Sequence, residues 1–91
     1  MALNKVMEIV TRQANIALDT IDYMPASLVD DKLARSLVND FKCFCNGVRA
    51  LGTATGAIAP TEYTYFEQSV NGAVAIINAR AVDKMGGWLD E

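Results

Sequence analysis

The sequence predicts an all-α chain: a three-helix bundle, or a helical hairpin with a third helix added, assembled as a homo-oligomer. Three observations carry that expectation. Apolar residues recur at alternating steps of three and four through three long segments, the spacing that stacks them on one helical face. Two joints interrupt the period, Met24-Pro25 and the stretch from Gly52 to Pro60. Finally, 52% of the 91 residues are hydrophobic. So small a globule has too little interior to hide that much apolar surface, so part of it is expected between subunits.

The chain reads as a single helical domain over 1–91, with helices at about 2–22, 27–51 and 61–85. On the first, Leu3, Met7, Val10, Ala14, Ala17 and Ile21 form the apolar stripe. The residue before Pro25 is pushed out of helical geometry, which closes this helix. Ser27, with Asp30 three residues later, reads as an N-cap and an acidic variant of the capping box. Asp31 adds negative charge to the first turn, where the helix dipole favours it.

The second stripe runs through Ala34, Leu37, Phe41, Phe44, Val48 and Leu51, with Gly52 at the position of a C-cap. Thr61, or Thr64 paired with Glu67, is expected to cap the third helix. Its stripe is Phe66, Val70, Val74, Ile77, Ala81, Met85 and Trp88, and Gly86-Gly87 should stop it and fold Trp88-Leu89 back onto the body. Asn71-Gly72 is a hairpin signal. The three-four spacing passes through it unbroken, and the flanks do not alternate, so the helix is the better reading. There is no internal repeat or low-complexity segment.

The chain has no histidine. That removes the commonest general base, the usual metal ligand and every Ser-His or Cys-His nucleophile. The only cysteines sit in FKCFC, and successive helical residues are about 100° apart, so Cys43 and Cys45 diverge by about 200°. They cannot close a disulfide within one helix, and two thiolates alone do not fill a tetrahedral zinc site. Cys45 is expected in the core and Cys43 outside, as a free thiol. No metal, no cofactor and no enzymatic activity are expected. Asp30-Asp31 and Asp90-Glu91 read as capping and tail acids. The glycine-rich joint lacks the Lys-Ser/Thr of a P-loop.

Net charge is −3 and the pI about 4.7, a balance that does not suit duplex nucleic acid. No apolar run approaches the roughly 20 residues that span a bilayer, and Glu8 and Arg12 interrupt any signal-like start. The expectation is a soluble, cytoplasmic protein.

Two patterns are candidates for function. Arg35, Asn39, Lys42, Asn46 and Arg49 are spaced four, three, four, three and form one strip on the second helix. Such a strip suits phosphates, a nucleotide or an acidic protein surface. It also reads as a solvated face paired with Glu8, Asp19 and Asp22 of the first helix.

The second pattern is apolar residues away from the main stripes. Ile9, Ile16 and Tyr23 repeat every seven residues, and Tyr65 and Ile76 lie beside Ser69, Gly72 and Ala79. These five are candidates for self-association. Tyr63, Tyr65 and Phe66 cluster where the third helix starts, with Phe66 in the core. The leading expectation is a small interaction protein, an adaptor or inhibitor that occupies a partner protein's surface. Its size and acidity are common among accessory and phage-type inhibitory proteins. The rival is an oligomer that binds or sequesters a nucleotide or other anionic small ligand.

Overall fold

A computed structural model describes residues 2–86. Three helices, α1 (Ala2–Tyr23), α2 (Asp31–Thr55) and α3 (Tyr63–Lys84), pack pairwise against one another, with a 3₁₀ turn in each joint, Ala26–Leu28 and Pro60–Glu62. Each joint reverses the chain, so α1 and α3 run parallel and α2 antiparallel to both. The bundle is elongated, 45 × 22 × 19 Å. Asn71-Gly72 lies inside α3, as the unbroken period required.

The core is wholly apolar among the described residues. Phe41, Ile21, Ile58, Ile77, Val10 and Cys45 are its largest fully buried side chains. Ala14, Ala17, Ala34 and Ala81 complete the contacts, so that helices meet over small side chains. On α1, Val10, Ala14, Ala17 and Ile21 of the expected stripe are buried together with Val6, while Leu3 and Met7 are only half-buried. On α2 the buried line is Ala34, Val38, Phe41, Cys45 and Gly52. Leu37, Phe44 and Val48 are only half-buried, and Leu51, expected in the core, is 67% exposed.

The two ends of α2 and the start of α3 differ in detail from the sequence expectation. The α2 N-cap is Asp30, whose Oδ1 accepts the Leu33 N–H at 2.8 Å. Ser27 lies in the 3₁₀ turn instead, because Val29 stays extended (φ −93°, ψ 110°) and turns its side chain into the core. Val29 and Ala34 then occupy the two positions of a hydrophobic staple, which sets the angle of entry into α2. At the start of α3 neither Thr61 nor Thr64 caps. Glu62 Oε1 accepts the Ala59 N–H at 2.8 Å, and Pro60 needs no donor in the first turn.

Gly52 is not a cap but an interior helical residue. The helix runs on to Gly56, whose φ of 79° is the left-handed conformation a C-terminal stop needs. The chain then doubles back, the Ile58 N–H donates to the Gly52 carbonyl at 3.1 Å, and the Ile58 side chain lies on the bare Gly52 backbone. Gly86, with φ 86°, ends the described part of α3. Trp88 as the end of the α3 stripe, the Gly87 half of the stop, the fold-back of Trp88-Leu89 and the Asp90-Glu91 tail lie outside the described residues.

The contact at Gly52 yields a paired prediction. A Cβ there would stand 2.6 Å from Ile58 Cδ1 and 2.7 Å from its Cγ1, and Ile58 is held by its own backbone bond. Overpacking of this kind costs about 1–3 kcal/mol, more than the roughly 1 kcal/mol of helix propensity gained over glycine. Gly47, also mid-helix, has open space around it. Urea titrations should show Gly52→Ala less stable than the parent and Gly47→Ala more stable, by about 0.5–1 kcal/mol. Two stabilised variants would show that Ile58 does not require the glycine.

Candidate functional site

The polar strip on α2 is divided by its partners. Arg35 is exposed and donates to Asp31, one turn earlier in the same helix. Asn39 is exposed beyond it. Lys42, Asn46 and Arg49 continue along the seam between α2 and α3. With Cys45, Phe66, Glu67, Val70 and Asn71 they line a cleft of about 330 Å³. Half-buried Arg49 lies 3.5 Å from Glu67, and its guanidinium stacks over the Tyr63 ring at 5.3 Å.

Two of the three cations thus face carboxylates, and Lys42 has none within ion-pair distance among the described residues. The acids come from α2 and α3, whereas the expected partners were on α1. Asp22 of α1 serves α3 instead, accepting from Arg80 at 2.6 Å, while the Asp22 carbonyl accepts from Lys84 at 2.8 Å. Each of these ion pairs is solvent-screened and contributes about 0–1 kcal/mol. What remains for an anion is Lys42 flanked by the amides of Asn46 and Asn71. The volume stands at the lower end for small-molecule sites. Asn71, Glu67 and Tyr63 were not singled out for this site from sequence, because nothing local in α3 shows which face meets Arg49.

The five apolar candidates are exposed: Ile9 41%, Ile16 52%, Tyr23 88%, Tyr65 57% and Ile76 56%. They do not form one patch. Ile16 lies over the α1–α2 seam beside Leu37 and Phe41, and Ile9 is on the same flank of α1, two turns earlier. Tyr23 is at the α1 terminus. Tyr65 and Ile76 border a different surface, the α1–α3 groove. Met7 and Leu18 line its α1 side, with Val10, Ala14 and Ala73 deeper and Ser69 and Gly72 on the α3 side. At 100° per residue the charged outer face of α1, with Lys5, Glu8, Arg12 and Asp19, separates the two surfaces. Leu28 and Leu51 are further exposed apolar side chains, and neither was singled out from the sequence for a surface role.

The cysteines occupy two environments. Cys43 is exposed and Cys45 buried, both as free thiols. Burial desolvates the Cys45 thiolate and pushes its pKa from 9.0 to about 11. Among the described residues no three acidic or thiol side chains come together to hold a metal. No helix there is long and apolar enough to cross a membrane. Nor does any protein-family model, curated protein or solved structure match the chain.

The Cys45 shift has a signed consequence. Above pH 9 the unfolded chain loses the thiol proton while the folded chain keeps it until about 11. The unfolded state therefore binds fewer protons, and stability falls as pH rises through that window. Denaturation at pH 8 and pH 10.5 should show a smaller loss in Cys45→Ala than in the parent. A thiol reagent at pH 8 should modify Cys43 well before Cys45. Equal pH losses in the two chains would show that Cys45 does not carry the effect.

Proposed function

We propose that this chain works by binding protein surfaces, as a small helical adaptor or inhibitor that assembles through its exposed apolar side chains. The observation that supports the reading is the placement of those side chains. A core has already been buried from one face of each helix, yet Ile9, Ile16, Tyr65 and Ile76 stand 41–57% exposed along two inter-helix surfaces. Scattered exposed apolar residues are ordinary on a soluble protein. Residues aligned along grooves on an elongated bundle are what a docking surface presents.

A second reading rests on a separate observation, the joining of Lys42, Asn46 and Asn71 in one cleft. There the chain would bind a nucleotide or other anionic small ligand. The prior engagement of Arg35 and Arg49 weakens it, since a phosphate would have to compete with Asp31 and Glu67.

The readings separate in one set of measurements. A tagged chain recovered under native conditions should retain protein, itself or another, in stoichiometric amount. Retention should survive Lys42→Ala and be lost in the double variant Ile16→Glu/Ile76→Glu, with helical circular dichroism kept in both. Nucleotides should then give no thermal shift. A nucleotide-induced shift that disappears in Lys42→Ala, with no dependence on the two isoleucines, would move the function to the cleft. There one charge-assisted contact is worth on the order of 1–3 kcal/mol.

A further inference from the structure

The cleft between α2 and α3 has two unlike ends. The helices run antiparallel and Arg49 meets Glu67 and Tyr63. Lys42, seven residues earlier on α2, therefore lies toward Asn71 at the other end, about 10 Å away along the helix. At the Arg49 end the guanidinium is held by the Glu67 carboxylate at 3.5 Å and by the Tyr63 ring at 5.3 Å. That end is a wall whose charges cancel. At the Lys42 end an ammonium stands between two amides, Asn46 one turn along α2 and Asn71 from α3.

The floor between the ends is apolar. Cys45 and Phe66 are buried there and Val70 is half-buried. Burial holds the Cys45 thiol in its neutral form up to about pH 11, so the floor carries no charge at neutral pH. An apolar surface flanked by a few convergent polar groups is how small-molecule sites are built.

Size and charge restrict what fits. At roughly 30 Å³ per non-hydrogen atom, the share of one water molecule in the liquid, the 330 Å³ of the cleft holds about ten such atoms. A mononucleotide has about twice that number and overfills it. Lys42, Arg49 and Glu67 line the cleft, an excess of one positive charge. A phosphate dianion would bring its second charge against Glu67 or draw Arg49 away from it. A carboxylate needs only the one cation, and the rotatable ammonium of a lysine with two amide N–H donors can satisfy both its oxygens.

We infer that this cleft takes a small organic carboxylate with a short apolar body. The carboxylate is held by Lys42, Asn46 and Asn71, and the body lies on Cys45, Phe66 and Val70 with its far end toward the Arg49–Glu67 pair. The inference rests on the second reading above, the anion cleft, and replaces its nucleotide with a ligand of defined charge and size. So few atoms in an open cleft give a Kd on the order of 1 mM.

The probe is phenylacetate, an aromatic monoanion of the required size, titrated into the isotope-labelled full chain at fixed ionic strength. The side-chain amide resonances of Asn46 and Asn71 should shift and saturate. Phenylacetamide, with the same body and no charge, and acetate, with the charge and almost no body, should each bind at least tenfold more weakly. Lys42→Gln should weaken phenylacetate at least tenfold and leave helical circular dichroism unchanged. Equal binding of acid and amide, or phenylacetate binding indifferent to Lys42→Gln, overturns the proposal. Acetate binding as tightly as phenylacetate overturns the role of the apolar floor and the proposal with it. If inorganic phosphate or adenosine monophosphate shifts the same resonances at lower concentration than phenylacetate, the ligand class is wrong while the anion cleft stands. No saturable shift with any of these anions overturns both.

Discussion

The Ile58 side chain resting on the bare backbone of Gly52 decides how the chain turns from α2 into α3. Its N–H bond to the Gly52 carbonyl closes the turn that Gly56 opens, and its burial seals that end of the bundle. Because the turn is fixed in this way, α3 begins at Tyr63 with Phe66 pointing inward and Tyr65 outward. The remaining features of α3 follow from that rotation. Tyr63 lies under the Arg49 guanidinium, Glu67 reaches Arg49, and Arg80 and Lys84 arrive beside the end of α1. One missing side chain on α2 thus sets which residues of α3 are available to the surface.

Much of this was legible before the structure. Three periodic segments and two breaks identified the helices, and on α1 the buried Val10, Ala14, Ala17 and Ile21 were read while Val6 was missed. The second helix was harder, because Leu37 and Val38 satisfy the same period within one residue's rotation, although Cys45 was read into the core and is buried there. Only the packing of α1 and α3 chooses between Leu37 and Val38, and it favours Val38. Ser27 and Asp30 are both competent caps by chemistry. The choice fell to Asp30 because burying Val29 requires extended backbone just before it. Glycine at position 52 looks like a stop from sequence, since local signals do not distinguish a cap from a place where another side chain must land.

The candidate sites divide along the same line. Whether residues share a helix face is a local property, so the Arg35–Arg49 strip and the Ile9–Ile16 repeat were visible at once. What stands opposite them is not local. Arg49 is matched by Glu67 and Tyr63 from a different helix, and Ile16 and Ile76 turn out to lie on opposite sides of the charged face of α1. Electrostatics contributes little to holding these parts together, since every ion pair is at the surface and no polar side chain is buried among the described residues.

The alanines of the core bear on how this sequence can change. At Ala14, Ala17, Ala34 and Ala81 there is almost nothing to truncate, so the cavity-forming substitutions that usually damage a core have no target there. Damage at these positions comes from the other direction, because each added methylene must push two helices apart or force a neighbour from its rotamer. The tolerance of the bundle is therefore lopsided. Valine and isoleucine sites can drift to smaller residues at graded cost, whereas the alanine contacts admit only glycine or serine without moving a helix. A lineage carrying this fold would be free to vary its charged exterior while keeping a fixed set of small residues at the helix contacts, a constraint of spacing and not of chemistry.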